Sequence, residues 1–288
     1  MKILVTGAGG QVGRSLRSVA PDWAELLVAS HTDLDIADAQ AVREYVRLHS
    51  PDVIINAAAH TAVDRAESEP ELAKRINSDG PRHLAAAARD TGARLIHVST
   101  DFVFDGVAST PYRPDAPTNP LGVYGATKLA GERAVLEELP EHSVVVRTAW
   151  VYAAQGSNFV RTMLRLMKAN GAVRVVADQV GTPTSARSVA GALWQIVGMP
   201  EIGGVHHWTD AGVASWYDFA VAIAEEGARL GLVGDGVLVT PIATHEYPTP
   251  ARRPSYSVLD KATLISRGIT QVHWRKRLRE VLGEIVDA

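Results

Sequence analysis

The chain has 288 residues, 46% hydrophobic and 21% charged, enough to bury a sizeable core and too apolar for disorder as the main state. Its 29 Lys and Arg against 32 Asp and Glu leave a net charge of −3, so neither nucleic acid nor an anionic membrane surface is an expected partner. With no cysteine, disulfides, thiolate nucleophiles and cysteine-based metal sites are excluded, a composition that suits a reducing cytoplasm.

Met1-Lys2 leads directly into Ile3-Leu4-Val5, a first strand with no preceding apolar run long enough for a signal peptide or membrane span, so the protein is expected to stay where it is made. A glycine turn and a helix marked by Val12, Leu16 and Val19 follow. The alternation continues: strand Leu26-Leu27-Val28 with helix Val42/Tyr45/Val46, strand Val53-Ile54-Ile55 with helix Leu72/Ile76, strand Leu95-Ile96-His97-Val98, a helix after Pro120, and strand Val144-Val145-Val146. This rhythm predicts an α/β fold, a Rossmann-type doubly wound parallel sheet over residues 1–150. Beyond it come a helix near 158–169, a strand at 173–176, a helix near 186–197, a strand near Val205 and a helix near 216–230. Residues 151–288 read as a smaller substrate-side domain that returns elements from about 186–230 to the first sheet. Trp274, Leu278 and Leu282 mark a packing helix. The histidines are scattered, and the adjacent His206 and His207 would face opposite sides of a strand, so no metal site is expected.

Chemistry begins at Thr6-Gly7-Ala8-Gly9-Gly10-Gln11-Val12-Gly13, between the first strand and the first helix. Gly7 permits a tight turn, Gly10 a close backbone approach to a pyrophosphate, and Gly13 close packing of the helix, whose first residues Gln11 and Val12 face the anion. At the end of the second strand Ser30-His31-Thr32 supplies no acid to repel a 2′-phosphate, so NADPH is permitted and NADH possible. Ala57, Ala58 and Ala59 after the third strand are small enough for a nicotinamide ribose to pass, or for tight packing. Tyr124 and Lys128 lie one helical turn apart. Ser99-Thr100-Asp101 ends the fourth strand at the carboxyl edge, where ligands bind in parallel sheets. A lysine ammonium close to the phenol would ease proton donation, and Thr100 could orient the same carbonyl or simply cap the next turn. The triad Thr100, Tyr124, Lys128 points to carbonyl reduction.

Longer runs resemble the dTDP-4-dehydrorhamnose reductase branch of the extended short-chain dehydrogenase/reductase family. They include Asn56-Ala57-Ala58-Ala59-His60-Thr61-Ala62-Val63-Asp64, Ser99 to Gly106, Tyr124 to Glu132, Arg147 to Tyr152, Asp178 to Thr184 and Tyr247 to Pro254. The resemblance implies reduction of the C4 keto group of dTDP-4-dehydro-β-L-rhamnose with NAD(P)H, the last step towards dTDP-L-rhamnose. It makes Asp35-Ile36 an adenine-contacting pair, though a helix N-terminal acid would read alike. It also assigns Thr61, Val63, Thr100, Asp101 and Trp150 to the hexose region and Asn158, Gln179 and Arg253 to the nucleotide side, the Arg253 fork suiting a pyrophosphate. Trp150 could equally be core, and Gln179 and Arg253 loop hydrogen-bonders. Some members dimerise around magnesium held partly by an acid on the first helix. Gln11-Val12-Gly13-Arg14-Ser15 offers none, so a monomer or a homodimer without a metal bridge is expected. An epimerase of the same fold, and a non-catalytic subunit like the β subunit of methionine adenosyltransferase, are the alternatives. A dehydratase would carry Glu where Phe102 stands.

Overall fold

The computed structural model describes residues 1–287. The first half runs β1 (Lys2–Thr6), α1 (Gln11–Ser18), β2 (Glu25–Ala29), α2 (Ala39–His49), β3 (Val53–Asn56), α3 (Val63–Ser68) and α4 (Pro70–Lys74). A π-helical turn at Arg75–Asp79 leads into α5 (Gly80–Thr91), then β4 (Arg94–Thr100), a 3-10 turn at Asp101–Val103, α6 (Val123–Glu138) and β5 (Ser143–Thr148). The second half contributes β6 (Val151–Tyr152), α7 (Phe159–Asn170), β7 (Ala172–Val176), β8 (Val180–Gly181), β9 (Thr184–Ser185), α8 (Ala186–Val197) and β10 (Gly204–His207). β11 (Ala214–Ser215), α9 (Trp216–Arg229), β12 (Leu238–Ile242), α10 (Ala262–Ile265) and α11 (Trp274–Val286) complete it.

Six parallel strands form the central sheet in the order β10-β5-β4-β3-β1-β2. Their apolar runs are continuous because both faces are covered. Ile3, Val5, Ile55 and Ile96 point to one face, with Leu16 of α1 and Leu193 and Trp194 of α8. Leu4, Ile54 and Leu95 point to the other, with Val42 and Val46 of α2, Leu84 of α5 and Val135 of α6.

A separate core gathers Tyr152, Val160, Phe219, Trp274 and Leu278 from β6, α7, α9 and α11. Here the structure corrects the reading of 186–230. α8 and β10 do return to the main sheet, but α9 packs with α7 and α11, because Phe219 and Ile223 are buried in this aromatic cluster.

The helix expected around Leu72 and Ile76 is interrupted by the π turn, a distortion common at functional sites. Asn77 in that turn accepts from the His60 amide (2.8 Å) and donates to the His60 carbonyl (3.1 Å) and Thr127 Oγ1 (3.2 Å). It thereby ties the segment after β3 to α6. α6 meets the turn at Gly131, where a Cβ would lie 2.1 Å from the Asn77 oxygen. Its opening turn has no side-chain cap of its own, and Glu67 of α3 supplies one by accepting from the Val123 amide at 2.8 Å. Among the described residues no helix is long and apolar enough to cross a membrane.

Candidate active site

β1 lies between β2 and β3, so the chain leaves it in opposite directions and a crevice opens at the carboxyl ends of these strands. Thr6, Asn56 and His97 are in register across β1, β3 and β4 there. Asn56 Oδ1 accepts from Thr6 Oγ1 (2.7 Å) and the Ala58 amide (3.1 Å), so its amide nitrogen must be the atom facing His97 Nδ1 at 3.0 Å. A neutral imidazole that accepts at Nδ1 carries its proton on Nε2. Burial, reinforced by the Lys128 charge, pushes His97 well below the ordinary histidine value and keeps it neutral.

His97 Nε2 stands 3.3 Å from Lys128 Nζ, which also donates to the Val98 carbonyl at 2.7 Å. An imidazole N–H can bond an amine but only repels an ammonium. Lys128 is 1% exposed, and burial lowers it to about 8, with Glu132 opposing. One turn earlier, the Tyr124 phenol is pushed up to about 12, chiefly by burial and further by Asp101, with Thr100 opposing. Lys128 turns inward to β4 and is not among the groups that shift Tyr124.

Thr100 also accepts from the Phe102 amide (3.2 Å), capping the 3-10 turn, and donates to Asp101 Oδ1 (3.1 Å). Asp101 is buried, and burial raises it to about 6, with the nearby Ser257 and Thr100 hydroxyls opposing. Its Oδ2 is buried without a hydrogen-bond partner in the described structure, which makes it an acceptor suited to a ligand hydroxyl. Gly125 brings α6 onto this turn, since a Cβ there would sit 2.2 Å from the Phe102 oxygen. Tyr124 packs edge-on against the Phe102 ring at 5.5 Å.

The glycine turn has the shape a dinucleotide needs. Gly7 adopts φ +69° and presses on the Ala57–Ala58 backbone, where a Cβ would be 2.5 Å from the Ala58 nitrogen. At Gly13 a Cβ would lie 2.3 Å from the Gly7 oxygen, whereas Gly9 faces open space. α1 starts at Gly10 with neither a side-chain cap nor an acid in its first turn, which leaves the amides at Gln11 and Val12 suited to a phosphate. The residues present thus fit NAD(P)H, with the half-buried Ala57, Ala58 and Ala59 flanking the turn.

Ser30 donates from its amide and hydroxyl to Asp33 Oδ2 (2.8 and 2.6 Å), so a carboxylate folds back to the end of the second strand. A Ser-x-x-Asp pattern after the strand was the available signal. Asp35 accepts from the Ala37 amide at 3.0 Å, while Ile36 is 4% exposed and held in the core against Gly80.

Thr61 is exposed and Val63 half-buried at the start of α3, past the end of β3. The neighbouring Asp64 binds Arg253 Nη2 at 2.8 Å, and this guanidinium holds the Asp64 carboxyl below its ordinary range. Arg253 Nη1 is taken by Thr249 and the Ala251 carbonyl. These bonds strap the 247–254 segment to α3. Asn158 likewise caps α7 at the Arg161 amide (3.2 Å) and donates to Gln11 Oε1 (3.0 Å), joining the second half to the glycine turn. Gln179 is 5% exposed and donates to Thr244 Oγ1 at 3.1 Å. Trp150, in a left-handed conformation at φ +49°, stacks on Trp216 at 3.5 Å and lies against Gly181. The structure thus gathers Thr100, Asp101, Tyr124 and Lys128 around the end of β4, and uses Arg253, Asn158 and Gln179 to link segments. Asp33, His97 and Ser257 were not singled out from the sequence.

A dinucleotide crevice with a Tyr and a Lys one turn apart beside a strand-end hydroxyl defines an oxidoreductase of the short-chain type. A family model described as RmlD substrate binding domain matches residues 1–286. A dTDP-4-dehydrorhamnose reductase of Streptomyces griseus is 46% identical over 283 residues, covering 96% of this chain and 91% of that protein. The crystal structure of a dTDP-4-dehydrorhamnose reductase from Clostridium acetobutylicum superposes with a TM-score of 0.93 at 43% identity over 99% of both chains. Another, from Bacillus anthracis in complex with NADP, has a TM-score of 0.92 at 34% identity over 98% of this chain and 99% of its own. The chain belongs to the dTDP-4-dehydrorhamnose reductase family.

Proposed function

We propose that this protein reduces the C4 keto group of dTDP-4-dehydro-β-L-rhamnose with NAD(P)H to give dTDP-L-rhamnose, in the cytoplasm, as the last step of dTDP-rhamnose biosynthesis. The observation that carries this reading is the placement of Tyr124 against the Phe102 ring, of Thr100 as the cap of the same turn, and of the partnerless Asp101 oxygen, all at the end of β4. Bound NADPH supplies the hydride for the carbonyl carbon. Tyr124, and Thr100 once its hydroxyl proton turns from Asp101 Oδ1 to the substrate, donate to the carbonyl oxygen, which fixes its orientation, and Tyr124 delivers its proton there as the alkoxide develops. Asp101 Oδ2 accepts a sugar hydroxyl. Lys128 uses the N–H bonds left over from Val98 to hold the nicotinamide ribose. Phe102 has no proton to exchange, which favours reduction over dehydration.

Purified dTDP-4-dehydro-L-rhamnose should oxidise one NADPH per sugar, while unrelated ketones leave the absorbance unchanged. Redox-neutral turnover with retained cofactor would make the protein an epimerase, and binding without turnover a non-catalytic subunit.

Lys128 sets an alkaline limit. Below about pH 8 its ammonium persists and kcat/KM is level; above it the amine prevails, and kcat/KM falls about tenfold per pH unit. His97→Met removes the N–H aimed at Lys128 and should move this limb upward. A limb that stays put in the variant would show that His97 does not act on the lysine.

A further inference from the structure

α3 is six residues long and starts without a side-chain cap, yet two of its carboxylates reach other parts of the molecule. Asp64 and Glu67 stand three positions apart and so share one side of the helix. Asp64 holds the 247–254 segment twice, accepting from the Ala251 amide at 3.2 Å and from Arg253 Nη2 at 2.8 Å. Glu67 accepts from the Val123 amide at 2.8 Å. Val123 is the first residue of α6, and Tyr124 is the second. Ala66, between the two acids, is fully buried, which seats α3 against the body of the protein.

The approach of Glu67 depends on Gly122, where a Cβ would lie 2.5 Å from Glu67 Oε1. Gly122 is extended at φ −153°, a conformation open to any residue, so its missing side chain serves the contact and not the backbone. The first turn of a helix has amides without intrahelical acceptors, and a carboxylate suits them because it also faces the positive end of the helix. α6 has neither an acid nor a side-chain cap of its own there, so the turn that carries the phenol takes its acceptor from α3. Beyond Arg253 the segment packs Pro254 on Gly106, where a Cβ would be 2.7 Å from the Pro254 Cα, and the Ser255 carbonyl accepts from the Val180 amide of β8 at 2.8 Å. One continuous set of hydrogen bonds thus runs from the second half of the chain, through Asp64, α3 and Glu67, to the start of α6.

We propose that Glu67 is a positioning residue for Tyr124, and that α3 is a bridge through which the seating of the 247–254 segment is passed to the phenol. The proposal rests on the reading of Tyr124 as the general acid. Neither Asp64 nor Glu67 exchanges a proton with the substrate. Their effect is on where the first turn of α6 stands, and a general acid is sensitive to displacements well below the length of a hydrogen bond.

Two measurements on the intact protein test this. Amide hydrogen exchange over residues 122–128, without substrate, should quicken about tenfold in Glu67→Ala, the size of a lost helix cap, and severalfold in Asp64→Ala, which has no contact with α6, while the central strands exchange as in the wild type. Glu67→Gln keeps an acceptor oxygen and should exchange like the wild type. In steady-state reduction of the ketosugar, Glu67→Ala should lower kcat about tenfold with the NADPH KM unchanged, and Glu67→Gln should restore it. In a Tyr124→Phe background Glu67→Ala should cost nothing further, because the group it positions is gone. A full further tenfold loss in that background would overturn the proposal, as would unchanged exchange over 122–128 in either alanine variant. Exchange that quickens as expected in a protein that leaves the dTDP-sugar untouched would uphold the bridge and refute the substrate assignment.

Discussion

Tyr124→Phe lowers turnover at least about a hundredfold, the scale of a positioned general acid, while NADPH affinity changes little. The variant removes one oxygen and keeps the ring, so the edge-on packing against Phe102 survives. Thr100 retains the Phe102 amide and Asp101 as partners, and no new unpaired polar group is created in the protein. A loss of rate with an unchanged unfolding curve therefore reports on chemistry. Burial, which pushes the phenol to about 12, bears on this outcome. At neutral pH the wild-type hydroxyl is essentially all in its donor form, so the proton is present in every enzyme molecule and only its delivery is at stake. The counterpart is that a donor this weak needs the developing alkoxide to draw the proton off, which concentrates its contribution in the transition state. Single-turnover measurements should accordingly show the defect in the hydride-transfer step. Near-normal turnover in Tyr124→Phe would remove Tyr124 as the acid.

How much of this was legible in the sequence follows from the range over which each feature is determined. The strands from Ile3, Leu26, Val53, Leu95 and Val144 announce themselves because a strand covered on both faces is apolar without interruption. The glycine turn and the Tyr124–Lys128 spacing are local, and both survive folding as read. The direction of Lys128 is not local. It depends on His97, whose tautomer depends on Asn56, held by Thr6, and these residues meet only because β1, β3 and β4 pair in register. Arg253 and Asp64 pair across 189 positions, which no spacing rule anticipates. The allegiance of α9 fails for a different reason. Its apolar face fits a sheet or another helix equally well, and only the aromatic partners at Tyr152 and Trp274 decide between them.

Glu132→Ala should destabilise the fold by about 3–5 kcal/mol, the cost of leaving a buried cation without its partner. Glu132 and Arg147 are 2% and 5% exposed at the side chain and pair at 2.7 Å, with the Arg147 Nε also donating to Glu132 at 2.9 Å. Ser99 donates to the same carboxylate, so one side chain of α6 is fastened to β4 and β5 together. The helix so held is the one that carries Tyr124 two turns earlier and Lys128 one turn earlier. Its two small contact residues, Gly125 and Gly131, leave it close to the 3-10 and π turns without large apolar anchors there. Polar fastening therefore acts beside the apolar anchors Leu129 and Val135 of the same helix. A double replacement, Glu132→Met with Arg147→Met, removes both charges and keeps the volume, and should recover most of the lost stability. Urea unfolding of Glu132→Met, Arg147→Met and the double variant completes the cycle. If the double variant is as unstable as the sum of the singles, the ion pair is not what anchors α6. If it regains stability yet turns over slowly, the pair's contribution lies in aligning the phenol above the crevice.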